Sequence, residues 1–248
     1  MTSQFDTLPS TYEDFTGTAF RTHLETPSVL TALGDLHGMR VLDLGCGSGV
    51  YTRLLKQHGA AQATGLDISA GMISHARAQE AADSIGVDYL DGPLPDHLAG
   101  TFDLVLGVYV LPYATTPTEL RELCGTVATA LRPGGRFVTL PVHPGFRPDA
   151  VSYARYGFTL AAAEPLADAS PVTLHLRFDG HDDTVTARYW TRATLDATLR
   201  RTGFAPPRWS DPTVTGQGIT AHGADYWHDY LSHPHTAIID CTKEGGDL

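Results

Sequence analysis

Residues 41–49 read VLDLGCGSG, a short apolar run that ends in three alternating glycines. Val41, Leu42 and Leu44 are typical of a buried parallel strand, and residues 48–58 have the pattern of a helix. The glycines lack a Cβ where the chain must turn tightly and approach a ligand. Ligands of open α/β sheets bind beyond the carboxyl ends of the strands, so this loop is a candidate binding site.

Strands and helices are predicted to alternate after the loop, which indicates a parallel, doubly wound sheet. The second half of the chain differs. Residues 143–171 look irregular, and the alternating segments 172–178 and 183–190, which flank Asp179-Gly180, predict a β-hairpin. The other predicted strands are 62–67, 86–90, 102–110, 136–141, 207–211 and 237–240; the other predicted helices are 70–82, 117–131 and 192–202.

Composition narrows the classes of function. The net charge is −11 with only 17 Lys and Arg, which argues against a nucleic-acid partner. No apolar run approaches the ~18 residues of a membrane helix, and the N-terminus lacks a signal pattern, so we expect a cytoplasmic protein with no membrane partner. The three cysteines are expected to be reduced. The His233-Pro-His235 pair is expected at a loop surface, and no metal site is predicted.

The glycine spacing discriminates between three kinds of loop. A phosphate loop needs a Lys after the glycines, and none is present. A dinucleotide loop needs G-x-G-x-x-G, but Val50 stands where the third glycine belongs. The pattern therefore favours a ligand with a ribose and an amino acid but no pyrophosphate, as in S-adenosyl-L-methionine. Asp67 ends the second strand, where it could accept hydrogen bonds from both ribose hydroxyls or cap the next helix near Ser69.

The motifs VLDLGCGSG, GLDIS (65–69), FDLVLGVYVLPYA (102–114) and LRPGGRFVTL (131–140) resemble, in this order, the class I S-adenosylmethionine-dependent methyltransferases. This resemblance covers roughly residues 36–142. Shorter matches resemble the toxoflavin-biosynthesis N-methyltransferase branch. They are Tyr89-Leu-Asp91, Leu111-Pro-Tyr-Ala114, Tyr156-Gly-Phe158, Gly203-Phe204 and Tyr226-Trp227.

The resemblance implies one Rossmann-like methyltransferase domain with a doubly wound, mostly parallel seven-stranded α/β sheet. Within it, residues 1–37 would form a helical cap and residues 38–142 the cofactor-binding core. Residues 143–190 would form a substrate insertion that contains the hairpin or lid, and residues 191–248 would complete the core.

It also implies residue roles. The methionine moiety of the cofactor would contact the loop residues Gly45, Cys46, Gly47 and Gly49. Asp67 would bind the ribose, and Ile68 and Met72 would pack on the adenine. Asp91 and Gly92 would contact the adenine edge.

Two further groups of residues would surround the reacting methyl group. Val108 and Tyr109 would lie beside the sulfonium, and Tyr12 and Phe20 of the cap would cover the methionine end. Phe20 stands where relatives often carry a Tyr, so any hydroxyl contact at that position is lost.

Many relatives that act on small molecules carry a His after the fourth strand, but this chain has Leu111-Pro-Tyr113 there. We therefore predict that His143, after the fifth strand, is the general base and that Tyr113 orients the substrate. Candidates for the substrate pocket are Tyr156, His175, Trp190, His222 and Trp227.

The predicted cofactor and site residues lead to three hypotheses of function. The first hypothesis is methyl transfer (class EC 2.1.1) from S-adenosyl-L-methionine to a nitrogen of an aromatic azaheterocycle in natural product biosynthesis, leaving S-adenosyl-L-homocysteine. An alternative is C- or O-methylation of an indole- or phenol-type natural product. A distant alternative is a protein that binds the cofactor without catalysis. The expected partner is a small aromatic or heteroaromatic substrate, and a homodimer is left open.

Overall fold

The computed structural model describes residues 4–148 and 151–245, and within them seven strands form a main sheet through the middle of the molecule. The strands are β1 (Arg40–Leu44), β2 (Gln62–Asp67), β3 (Asp88–Asp91), β4 (Phe102–Val108), β5 (Leu131–Leu140), β9 (Arg208–Ser210) and β10 (Ile238–Thr242). Their order is β3-β2-β1-β4-β5-β10-β9, and only β10 runs antiparallel to its neighbours among these strands. The predicted doubly wound, mostly parallel sheet is confirmed.

Helices cover both faces of the main sheet. The α-helices are α1 (Pro9–Phe15), α2 (Thr26–Leu33), α3 (Val50–Gln57), α4 (Ala70–Asp83), α5 (Pro117–Ala130), α6 (Arg192–Arg201), α7 (Gly216–His222) and α8 (Ala224–Ser232). A π-helical turn spans Arg21–Glu25, and 3₁₀ turns span Asp96–Leu98, Leu111–Tyr113 and Ala154–Tyr156. Local chemistry sets several helix starts: the side chains of Ser69, Thr116 and Thr191 accept hydrogen bonds from backbone N–H groups in the first turns of α4, α5 and α6.

The strand order reverses beside β1, which pairs with β2 on one side and with β4 on the other. Adjacent loops therefore leave in opposite directions at the carboxyl ends of β1 and β4, and a crevice opens between them. Val41 and Leu42 are fully buried in the core on opposite faces of the sheet. These buried side chains of β1 thus fix the position of the loop at 45–49, which follows the strand.

A second, small sheet contains three strands in the described part of the chain: β6 (Phe158–Ala162), β7 (Ser170–Phe178) and β8 (His181–Tyr189). The β7–β8 pair is the predicted hairpin. The prediction that residues 143–171 are irregular was wrong in part, because they contain β6, which pairs antiparallel with β7. A five-residue strand carries too short an alternation to be recognised before its partner is known.

The boundary between the predicted helix at 117–131 and the predicted strand at 136–141 also differs. The strand β5 already begins at Leu131, so that Arg132-Pro-Gly-Gly135 lies within it. Leu131 pairs with Phe102, and the register then shifts before Arg136 pairs with Leu104. The Pro and Gly residues thus form a bulge inside the strand, which is a common position for them.

Candidate active site

A cavity of about 670 Å³ lies at the carboxyl ends of β1, β2 and β4, between the N-terminal helices and the small sheet. It collects residues that are far apart in the sequence. Many of the predicted site residues line this cavity. They are Tyr12, Phe20, Gly45, Cys46, Gly47, Asp67, Ile68, Met72, Gly92, Val108, Tyr109 and Tyr113.

The loop after β1 is tied to the end of β2. The N–H of Gly47, which has a φ of 54°, donates to Asp67 Oδ2 at 2.8 Å. Gly49 does not line the cavity, contrary to its predicted contact with the methionine moiety. It has a φ of 87°, and a Cβ there would lie 2.3 Å from Tyr89 Oη. Its glycine is required by packing against β3.

Asp67 has the position expected of a ribose ligand. Besides Gly47, the N–H of Ser69 donates to its Oδ1 at 2.8 Å. Burial raises its pKa, although the hydrogen bonds from Ser69 and Gly47 act in the opposite direction. The carboxylate is thus held rigidly at the cavity wall, with lone pairs left for a ligand. Asp67 also orders the start of α4, because it accepts a hydrogen bond from the N–H of Ser69, the N-cap residue of that helix.

The next residue, Ile68, is 82% exposed although it is a large aliphatic side chain in the cavity wall. Met72 also lines the cavity and is buried. Such an exposed apolar surface, bounded by Gly92, is suited to contact with a flat ring. Asp91 does not line the cavity, because its side chain turns away and pairs with Arg77 at 3.1 Å. The structure therefore gives no support to its predicted contact with adenine.

Asp43 lies below the glycine loop and accepts a hydrogen bond from Thr52 Oγ1 at 2.7 Å. It is almost completely buried, and burial raises its pKa to about 7. No role was predicted for Asp43. Its contact with α3 holds the loop in place from beneath.

Arg21 and Glu25 were not predicted, and both line the cavity. They pair at 2.5 Å within the π-helical turn, and Tyr51 donates to the same Glu25 carboxylate at 2.9 Å. The Nε of Arg21 is buried and has no hydrogen-bond partner among the described residues. The four-residue spacing of Arg21 and Glu25 is a sequence signal for an ion pair, but it does not show that the pair faces a cavity.

The position of His235 also differs from its prediction. It was predicted at a loop surface, but it is only 8% exposed and lines the cavity. Its Nε2 lies 3.2 Å from the Tyr109 hydroxyl and its Nδ1 3.0 Å from the Tyr230 hydroxyl. Burial, with a smaller effect of Arg21, lowers its pKa to about 3, so the ring is neutral at physiological pH.

The small sheet forms the opposite wall of the cavity and presents one continuous apolar face. In the pairing register, Leu160 lies opposite Leu174, and Leu174 lies opposite Val185. The side chains of this sheet that line the cavity are Phe158, Leu160, Val172, Leu174, Leu176, Val185 and Ala187. These residues were not predicted, because β6 is too short to be recognised from sequence and because a hairpin alone does not show which face is inward.

The five residues predicted for the substrate pocket do not line this cavity, and that prediction is corrected. Trp190 and Trp227 are buried in the core, and Tyr156 packs against Trp227 with its hydroxyl bonded to the Tyr226 carbonyl. His175 contacts Thr184 on the outer face of the small sheet, and His222 stacks on Tyr226. Large aromatic side chains stabilise cores as often as they line pockets, and sequence does not separate the two uses.

His143 also lies outside the cavity. It lines a separate depression with Trp209 and Asp211, and its Nε2 is 3.1 Å from Asp211 Oδ1. Its Nδ1 accepts a hydrogen bond from the Gly145 N–H at 2.9 Å. A base must reach the proton that it removes, so this position contradicts the role predicted for His143.

Within residues 4–148 and 151–245, no group of three or more His, Cys, Asp or Glu side chains could hold a metal ion. Within the same residues, no helix is long and apolar enough to cross a lipid bilayer.

Residues 41–135 match the family model described as a methyltransferase domain. A ubiquinone biosynthesis O-methyltransferase of Nitrosococcus oceani is 33% identical over 131 residues, which are 51% of this chain and 54% of the relative. The chain spans about half the length of the curated relatives that it matches first.

Among solved structures, an S-adenosylmethionine-dependent methyltransferase of Mesorhizobium loti is 26% identical with a TM-score of 0.64, over 92% of this chain and all of that one. The cyclase SpnF is 19% identical with a TM-score of 0.60, over 99% of this chain and 98% of that one, and this likeness shows the fold alone. Residues 41–135 thus match a methyltransferase domain, and the chain shares its fold with a solved S-adenosylmethionine-dependent methyltransferase.

Proposed function

We propose that this protein transfers a methyl group from S-adenosylmethionine to a small molecule. The observation that carries the proposal is one continuous cavity whose two walls differ in chemistry. One wall has the glycine loop, Asp67 and the exposed Ile68, and the other is the apolar face of the small sheet. A cofactor on the first wall and an acceptor against the second would meet within a single cavity.

The residues of the first wall fit the cofactor. Asp67 presents carboxylate oxygens to a ribose, and Ile68 leaves a bare apolar surface for an adenine. The buried Arg21 Nε has no partner among the described residues and can donate to a carboxylate such as that of methionine. A buried donor without a partner is costly, so its presence indicates a ligand with an acceptor at that point.

The cofactor, when bound, supplies a methyl carbon already activated for displacement. The protein therefore has to align the acceptor, exclude water and accommodate the proton that leaves. Alignment alone can contribute up to about 7–11 kcal/mol in favourable cases. The rigid attachment of the loop through Gly47 and Asp67, and the closed wall of the small sheet, are suited to these tasks.

The acceptor is proposed to be a flat molecule with an apolar body. Seven side chains of the small sheet that line the cavity carry no hydrogen-bonding group, so a charged or highly polar body would lose its water there without compensation. Our first hypothesis is nitrogen of an aromatic azaheterocycle, in line with the toxoflavin-type resemblance. A phenol oxygen is the second candidate, and the names of the curated relatives, ubiquinone biosynthesis O-methyltransferases, favour it.

The fold by itself does not require methyl transfer, since a cyclase shares it. The test is titration calorimetry with S-adenosylmethionine, S-adenosylhomocysteine and NADH, followed by transfer of labelled methyl to a panel of phenols and N–H azaheterocycles. We expect binding of both adenosyl ligands, no binding of NADH, and labelled product from at least one panel member. Binding without transfer to any acceptor would instead favour a non-catalytic cofactor-binding protein.

A further inference from the structure

Four side chains form one hydrogen-bonded chain along the cavity. Tyr109 Oη lies 2.5 Å from Glu25 Oε2, His235 Nε2 lies 3.2 Å from the same Tyr109 oxygen, and Tyr230 Oη lies 3.0 Å from His235 Nδ1. Three of the four, namely Glu25, Tyr109 and His235, line the cavity. They come from the π-helical turn, the end of β4 and the segment before β10.

The carboxylate of Glu25 determines which group is the donor in each hydrogen bond of this chain. Glu25 is paired with Arg21, and an ionised carboxylate can only accept hydrogen bonds. Tyr109 must therefore donate its single proton to Glu25. A neutral His235 then donates from Nε2 to the Tyr109 oxygen, and its bare Nδ1 accepts the proton of Tyr230.

This order gives Tyr109 a defined polarity toward the cavity. Its proton is committed to Glu25, so its oxygen can offer a cavity ligand only lone-pair density. The side chain is also held in place, because its hydroxyl bonds Glu25 and its ring stacks on His235. Its backbone has a φ of 58°, which is rare for a residue with a Cβ. A bound molecule that meets this oxygen has to bring its own proton.

We propose that the methyl acceptor presents an O–H or N–H group to the Tyr109 hydroxyl, and that Glu25 receives the proton through Tyr109. This inference rests on the proposed function and specifies its substrate class. It includes phenols and N–H azaheterocycles, and it excludes aromatic carbon and pyridine-type nitrogen as the atom methylated.

The proton transfer balances. As the acceptor atom bonds the methyl carbon, the bond from that carbon to sulfur would break and its electron pair would stay on the sulfur of the departing S-adenosylhomocysteine. The proton of the acceptor would pass to Tyr109 Oη, and the Tyr109 proton would pass to Glu25 Oε2. Glu25 becomes neutral, which balances the positive charge that disappears with the transferred methyl group. His235 keeps its proton throughout and acts as a positioning residue, since its neutral ring holds the Tyr109 oxygen from the other side.

Matched ligand pairs test the proposal without turnover. The probes are 2-naphthol against 2-methoxynaphthalene, and 1H-indazole against 1-methylindazole, each titrated into the protein alone and with S-adenosylhomocysteine. We expect the O–H or N–H member of at least one pair to bind about tenfold more tightly, the worth of one buried hydrogen bond. This ratio should fall to about one in Tyr109→Phe.

Tyr153→Phe is the matched control. Tyr153 packs against His235 in the same aromatic cluster, but its hydroxyl donates to the His233 carbonyl and takes no part in the chain. It should retain the tenfold ratio. Nitrogen-15 spectra of the histidine rings give an independent readout of the positioning role: His235 should carry its proton on Nε2, and Tyr230→Phe should disturb this tautomer.

Three results would overturn the inference. Tyr109→Phe could retain the tenfold preference for the O–H or N–H probe over its methylated partner, or His235 could carry its proton on Nδ1. The wild-type protein could also bind the two members of each pair equally tightly. These failures are separable from failure of the proposed function, which calorimetry reports in the same samples. A wild type that binds no S-adenosylmethionine refutes the proposed function. A wild type that binds it but shows no donor preference refutes only the role of Tyr109.

Discussion

The carbonyl of Gly49 accepts a hydrogen bond from the Tyr89 hydroxyl at 3.3 Å, and the Gly49 α-carbon faces the same hydroxyl so closely that a Cβ would lie 2.3 Å from it. This contact joins the start of α3 to β3 across β2. It explains why the third glycine of the loop is required although it does not line the cavity.

Gly49→Ala is therefore expected to destabilise the fold. The left-handed backbone costs roughly 1–2 kcal/mol with a Cβ, and the collision with Tyr89 adds a further amount of about 1–3 kcal/mol. Gly134→Ala is the control, since Gly134 also has a positive φ but open space around it, so only the backbone cost should appear. Urea denaturation of both variants measures the difference. Equal losses would show that Tyr89 moves aside freely.

Asp67→Ala should weaken S-adenosylmethionine binding by about 10–100-fold. The variant loses contacts to the ligand and also the two hydrogen bonds that hold Gly47 and Ser69. Calorimetry measures the dissociation constant, and circular dichroism verifies that the fold persists. Asp88→Ala, on the exposed start of β3, should bind like wild type. A change of less than twofold in Asp67→Ala would contradict the ribose assignment.

His235 should make stability fall at acid pH. Its pKa is lowered to about 3 in the folded protein from about 6.5 when unfolded. Between these values the unfolded state binds more protons, so stability is present above pH 6.5 and is lost as the pH falls toward 3. His235→Phe, which retains a ring, should gain about 1–2 kcal/mol relative to wild type as the pH drops from 6.5 to 5.

Urea denaturation at pH 8, 6.5 and 5 measures this difference. Asp43, with its pKa raised to about 7, has the opposite effect, since its contribution is present below pH 3.8 and declines as the pH rises toward 7. Asp43 is present in both wild type and His235→Phe, so its effect on stability cancels when the two proteins are compared. His228→Phe, at an exposed site of α8, should show no such trend. A pH-independent difference for His235→Phe would mean that the ring is solvated.

The apolar face of the small sheet should control acceptor affinity and leave the cofactor unaffected. Val185→Thr adds a hydroxyl at nearly constant volume to a residue that lines the cavity, and a buried unpaired hydroxyl costs about 1–3 kcal/mol. The KM of an apolar acceptor should rise by about 5–100-fold. Thr173→Val, on the opposite face of β7, should leave KM unchanged. An equal effect of the two variants would place the acceptor elsewhere.

Much of the cofactor side could be predicted from local patterns. The glycine loop, Asp67 and Ile68 lie within two consecutive strand-to-helix turns, and parallel strands bring such turns to one edge of a sheet. Asp91 was predicted from its position at the end of β3, but its side chain does not line the cavity. Whether a side chain turns into the cavity or pairs with Arg77 depends on α4, which strand position does not report.

The alternating architecture and the position of the glycine loop follow from local patterns, because strand periodicity and glycine conformational freedom are local properties. The wall of the cavity opposite the glycine loop depends on long-range packing. Tyr109 meets Glu25 across 84 positions and His235 across 126, and β6 is recognisable only beside β7. Such contacts depend on how the elements pack, and composition alone does not show that Trp190 is core while Val185 lines the cavity.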